Sequence, residues 1–104
     1  MKSFKVTSFN TEGISEIKAE LLSKLQPDIL CLQETHKEST PPDIPGMNLI
    51  VHHGSNVYGS AIYARNKSLI VNSDKEVSEH GQETLKVETT KLTIFSTYNS
   101  HLKN

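Results

Sequence analysis

The chain has 104 residues, 35% apolar and 22% charged, with five glycines and four prolines; this allows one domain at most and excludes disorder as the default state. A net charge of −1 and a pI of about 6.5 speak against strong nucleic-acid binding by the chain alone, which calls for a basic surplus or stripe. A single cysteine excludes an internal disulfide, and no apolar run approaches transmembrane length.

Phe4, Val6 and Ser8 alternate with Lys5, Thr7 and Phe9, a short strand that runs into Asn10 and is broken by Thr11, Glu12 and Gly13. Ile14, Ile17, Leu21 and Leu25 then recur at helical spacing, Leu22 widens the apolar stripe, and Ser15 stands at the N-cap position. Gln26 precedes Pro27, which disfavours further helix. Ile29 to Leu32 is a continuous apolar run, as in a strand covered on both faces, and it leads into Gln33, Glu34 and Thr35.

Lys37 to Gly46 lacks periodicity and reads as a loop. Met47 to His52 forms a strand, His53 to Asn56 a turn, and Tyr58 to Ala64 another strand. Leu69 to Val71 is a short apolar piece, and Asn72 to Gln82 is a polar, mobile connection. Thr84 to Thr89 and Leu92 to Tyr98 form a hairpin, with Leu85 and Val87 on one face of its first strand and Leu92 and Ile94 on one face of its second. The expected fold class is α/β: a mixed sheet of about six or seven strands with one main helix. One helix covers one face, so a missing layer is expected, with a sticky, uncovered sheet face prone to self-association.

A strand-helix-strand unit crosses over right-handedly and makes its two strands parallel. Asn10 and Glu34 therefore share one rim, the carboxyl edge at which open α/β sheets bind ligands. Glu34 is placed to hold a hard cation such as Mg²⁺, or to be hydrogen-bonded by loop amides or solvated. Asn10 either reaches a phosphate or a carboxylate or caps the local turn. Tyr98, ending the last strand, either contacts a phosphate or is an amphipathic residue at the core rim. His36 could approach the same rim. His52 and His53, adjacent on a strand, point to opposite faces and chelate poorly; His80 and His101 read as surface residues. Cys31 lies in an apolar run and reads as a buried, reduced thiol and not as a nucleophile. The N-terminus is too short and polar for a signal peptide, so an intracellular location is expected.

Ser8-Phe9-Asn10-Thr11-Glu12-Gly13-Ile14 resembles the motif Trp-Asn-x-x-Gly-Ile, with Phe9 replacing Trp. Pro27 to Thr35, Pro-Asp-Ile-Leu-Cys-Leu-Gln-Glu-Thr, is similar to the block Pro-Asp-[hydrophobic]-Leu-x-Leu-Gln-Glu-Thr. Gly59 to Tyr63 and Thr93 to Tyr98 resemble two later strands in the same order. Together they resemble the N-terminal half of the endonuclease/exonuclease/phosphatase superfamily, the deoxyribonuclease I-like proteins, and most of all the endonuclease domain of non-LTR retrotransposons.

That resemblance implies half of a four-layer α/β sandwich, residues 1–104 forming a partial domain that lacks its C-terminal half. It implies Mg²⁺, or Mn²⁺ in its place, with Glu34 and Asn10 as metal-site residues and Asn10, Glu34 and Tyr98 as the catalytic set. The implied activity is DNA nicking by metal-assisted phosphodiester hydrolysis, nuclear where chromosomal DNA is the target. The partners would be DNA in the full-length form, and the missing half or a reverse transcriptase domain in cis. The alternatives are a fragment of a phosphatase of the same superfamily and a non-catalytic remnant that binds or self-associates. The Gly-Asp-Phe-Asn and Ser-Asp-His blocks of the resemblance have no counterpart here. The chain alone is therefore expected to be inactive, since general acid-base help is worth about 10² to 10⁴ in rate.

Overall fold

The computed structural model describes residues 4–55 and 58–99; Asn56, in the expected turn, and His101, expected at the surface, lie outside the described residues. The first strand, β1 (Val6–Asn10), is followed by one helix, α1 (Glu16–Lys24), and by β2 (Ile29–Gln33). Then come β3 (Asn48–His53), β4 (Ser60–Ala64), a 3₁₀ turn (Lys67–Leu69), β5 (Ile70–Val77), β6 (Gln82–Thr89) and β7 (Thr93–Asn99). The strands form two sheets, one four-stranded in the order β1-β2-β4-β3 and one three-stranded in the order β5-β6-β7. The expected single sheet of six or seven strands is thus corrected to two.

Ser15 starts α1: its backbone is extended and its hydroxyl accepts from the Lys18 amide at 3.2 Å. The helix ends at Leu25, after which Gln26 turns left-handed (φ 50°) ahead of Pro27. The chain then returns parallel to β1, with Val6 opposite Ile29 and Asn10 opposite Gln33. Lys5 locks the start of the pair by donating its amide to the Asp28 carboxylate at 2.7 Å.

The expectation that β2 is covered on both faces holds: Ile29, Leu30, Cys31 and Leu32 are all buried. One face, with Leu30, Leu32, Ala61 and Tyr63, packs against Ile14, Ala19 and Leu22 of the helix region and Ile44 of the proline-rich loop. The other face, with Ile29, Cys31, Ile62 and Ala64, packs against Leu85 and Val87 of the second sheet. Each fully buried aliphatic side chain stabilises the fold by about 1.5–3 kcal/mol. The second sheet supplies cover for the face of β2 and β4 expected to be bare, while β1 stays partly open, Val6 being 45% exposed.

Two further expectations are corrected. Asn72 to Val77 is not a mobile connection; it continues β5 and pairs antiparallel with β6, Ser73 opposite Val87 and Lys75 opposite Leu85. A polar sequence suits an edge strand with a solvated outer face. The expected apolar stripe is buried only in part. Ile14 and Leu22 are buried, together with Ala19, whereas Ile17, Leu21 and Leu25 are 72%, 59% and 47% exposed. Small Ala19 lets the helix close onto the sheet, and Lys18 fixes its rotation by donating to the carbonyls of Thr11 (2.7 Å) and Gly13 (3.0 Å). In the hairpin, Ile94 is half-buried as expected but Leu92 is 41% exposed.

Candidate polar site at the sheet rim

Parallel pairing brings the ends of β1 and β2 to one rim, and the chain beyond them is tightly tied. Thr11 donates its amide to the Gln33 carbonyl (2.9 Å) and its hydroxyl to the Glu34 carbonyl (2.8 Å). The Gly13 amide reaches the same Glu34 carbonyl at 2.7 Å, and the Ile14 amide reaches Thr35 at 3.0 Å. From the other side, Thr35 and His36 donate their amides to the carbonyls of Gly59 and Tyr58. Gly59 is required there: its φ is +87°, and a Cβ would come within 2.5 Å of the Thr35 hydroxyl.

Glu34 is held by these bonds with φ 53°, a left-handed backbone that side-chain-bearing residues seldom adopt. The consequence is directional. Successive residues of a strand point to opposite faces, yet Gln33 and Glu34 both reach the second sheet: Gln33 Nε2 donates to Ser96 Oγ at 3.1 Å, and Tyr98 donates its hydroxyl to Glu34 Oε2 at 2.8 Å. The left-handed residue breaks the alternation and turns the carboxylate toward β7.

Asn10 completes the arrangement, and both of its expected roles are realised together. Its Nδ2 donates to Glu34 Oε2 at 3.0 Å, while its Oδ1 accepts from the Glu12 amide at 3.1 Å and caps the turn. The three residues singled out in the sequence, Asn10, Glu34 and Tyr98, therefore meet at one oxygen atom. Glu34 is only 3% exposed. His36 Nε2 lies 3.8 Å from Glu34 Oε1, beside the carboxylate but beyond hydrogen-bond reach. The Tyr98 ring packs against Tyr58, centroids 5.8 Å apart. Burial, the bond to Glu34 and the negative charges of Glu34 and Glu83 hold its phenol well above its ordinary pKa. Tyr98 is thus a hydrogen-bond donor throughout the neutral range.

The other candidates lie elsewhere. His52 and His53 end β3, at the opposite edge of the four-stranded sheet from β1. His80 is exposed in the β5–β6 turn beside Glu79. Cys31 is buried and its thiol is pushed up to about 11 by that burial, with Ser96 opposing the shift, so it is no nucleophile near neutral pH. Sequence reasoning missed Glu83, a buried acid on β6 that accepts from the Ser60 hydroxyl at 3.0 Å. The signal was available: Glu83, Leu85 and Val87 alternate, so all three point to the same face.

As a cation site, the donor set fits in part. Mg²⁺ binds through one or two carboxylates and keeps several waters or phosphate oxygens; Glu34 supplies one carboxylate, buried behind Asn10 and Tyr98, and those two residues line a cleft of about 350 Å³ between β1–β2 and β7. Asn10 would have to rotate its carboxamide and release the Glu12 amide to offer oxygen, so it suits orienting Glu34 better than ligating. Among the described residues, no cluster of three or more His, Cys, Asp or Glu is arranged to hold a metal. Among them, too, no helix is long and apolar enough to cross a membrane. No known protein-family profile matches the chain, and no curated protein matches it.

Proposed function

We propose that this chain forms the metal- and phosphate-holding part of a Mg²⁺-dependent phosphodiesterase of the endonuclease/exonuclease/phosphatase kind, acting on DNA in a longer polypeptide that completes a four-layer sandwich. The observation that carries the reading is the convergence of Asn10 and Tyr98 on one oxygen of a buried, left-handed Glu34. A buried carboxylate aligned by two neutral donors is a preorganised anion, oriented before any cation arrives.

In this reading Glu34 holds Mg²⁺, or Mn²⁺, and Asn10 fixes its rotation from the first sheet. Tyr98, kept protonated, orients the carboxylate from the second sheet and stands where a phosphate oxygen could take its proton as a hydrogen bond. The bound ion would steady the charge that develops on the phosphate. An activated water needs a general base, and His36, with Nε2 3.8 Å from the Glu34 carboxylate, is not among the residues that line the cleft. The base and the remaining acids come from outside residues 4–99.

A plasmid-nicking assay with Mg²⁺ tests this. The 104-residue chain is expected to leave supercoiled plasmid intact, and a longer form to nick it in a manner lost in Glu34→Ala. Nicking by the longer form that survives Glu34→Ala would refute the reading. Nicking by the 104-residue chain itself, lost in Glu34→Ala, would overturn its expected inactivity.

A second reading, a non-catalytic self-associating module, draws on the exposed apolar flank of Phe9, Ile17, Leu21 and Leu25. It predicts concentration-dependent dimerisation, measured by sedimentation, that Leu21→Lys abolishes.

A further inference from the structure

The interface between the two sheets changes character as it approaches the rim. Its body is apolar, built from residues such as Ile29, Ile62, Leu85 and Val87. At its end, the same alternation delivers a polar side chain from each of four strands: Gln33 on β2, Ser60 on β4, Glu83 on β6 and Ser96 on β7. These polar groups are cross-linked. Ser60 donates to Glu83 Oε1 at 3.0 Å, Gln33 donates to Ser96 Oγ at 3.1 Å, and Tyr98 donates to Glu34 at 2.8 Å. Within the sheets, Gln33 is register-paired with Ser60 and Glu83 with Tyr98. The circuit closes: Glu34, Gln33, Ser60, Glu83 and Tyr98 form a ring that crosses between the sheets twice.

A carboxylate 4% exposed at the end of a sheet interface is costly to bury. Leucine at position 83 would continue the Leu85–Val87 face and pack without that cost. We infer that Glu83, anchored by Ser60, is a positioning residue for Tyr98: with the Gln33–Ser96 strut it sets the separation of the two sheets at the rim, so that the phenol reaches Glu34. Neither Glu83 nor Ser60 touches the cleft chemistry directly. The role in cation binding rests on the proposed function, but the positioning of Tyr98 does not.

The test compares Glu83→Leu, Glu83→Gln and Ser60→Ala in the 104-residue chain. Three quantities are read: thermal stability, the ring resonances of Tyr98 and Tyr58 in ¹³C-tyrosine-labelled protein, and Mn²⁺ affinity. Glu83→Leu is expected to fold with stability at or above the parent. It should shift the Tyr98 resonances and weaken Mn²⁺ binding about 10- to 100-fold, the usual effect of losing a group that orients a ligand. Glu83→Gln keeps an acceptor for Ser60 while removing the charge, and should restore both readouts to within about threefold of the parent, separating geometry from simple electrostatics. Ser60→Ala should move the Tyr98 resonances in the same direction as Glu83→Leu. Tyr98 resonances unchanged in both Glu83→Leu and Ser60→Ala would overturn the inference. Failure of the parent chain to bind Mn²⁺ would instead overturn the cation reading, and the tyrosine resonances would still decide the positioning role.

Discussion

Replacing Tyr98 by Phe removes one hydroxyl and leaves the ring against Tyr58. The lost bond is the 2.8 Å donation to Glu34 Oε2, an oxygen that retains Asn10 Nδ2 at 3.0 Å. A hydrogen bond to a charged group contributes about 1.5–3 kcal/mol, because the stranded ion has also lost its water. Glu34 is 3% exposed, so solvent cannot readily replace the phenol. The expected destabilisation is therefore about 1.5–3 kcal/mol, and the melting temperature should fall by roughly 6–24 °C at 4–8 °C per kcal/mol for a domain of this size. Urea and thermal unfolding followed by circular dichroism measure both. Tyr63→Phe is the control: its hydroxyl donates to the Pro42 carbonyl at 3.2 Å, a neutral bond contributing about 0.5–1.5 kcal/mol. A Tyr98→Phe effect no larger than about 0.5 kcal/mol would refute the reasoning, since the phenol would not then be supporting a buried carboxylate.

Gly59→Ala should destabilise by more than about 1 kcal/mol, because the left-handed backbone penalises any Cβ and this one would press on Thr35; unfolding measurements check it, and a neutral effect contradicts it. Cys31 gives the fold a base-side limit. Its thiol ordinarily titrates at 9.0 and in the fold at about 11, so its contribution is complete below pH 9 and is lost as the pH rises to 11, about 2–3 kcal/mol in all. Between pH 9 and 11, Cys31→Ala should lose correspondingly less stability than the parent in urea titrations. On the helix, Leu22→Ala should cost about 2–5 kcal/mol as a cavity, whereas Ile17→Lys should stay within about 0.5 kcal/mol; equal losses would mean the helix is rotated from the position described.

What the sequence revealed was what alternation and chain crossover dictate. The apolar run from Ile29 to Leu32 required cover on both faces, and the parallel return put Asn10 beside the end of β2. What it concealed depended on tertiary choices. Asn72 to Val77 carries no apolar pattern, because an edge strand is stabilised by its pairing to β6 and needs burial on one side at most. Ile17, Leu21 and Leu25 have perfect helical spacing, yet spacing cannot say which side of a helix meets the sheet; the Lys18 bonds and the small Ala19 decided that. The turn of Glu34 toward the second sheet depends on a left-handed φ at a residue type that rarely takes one, a feature no periodicity reports. Glu83 was hidden by its composition, a glutamate beside Gln82, although its phase with Leu85 pointed inward.

The proposed role of Glu34 as a cation ligand, aligned by Asn10 and Tyr98, can be read from paramagnetic broadening of backbone amides when substoichiometric Mn²⁺ is added to the ¹⁵N-labelled chain. Broadening is expected to centre on residues 10–13, 33–36 and 98, to be displaced by excess Mg²⁺ and to be abolished in Glu34→Gln. Broadening centred on other carboxylates, such as Glu79 in the β5–β6 turn, or broadening at the rim that persists in Glu34→Gln, would contradict it.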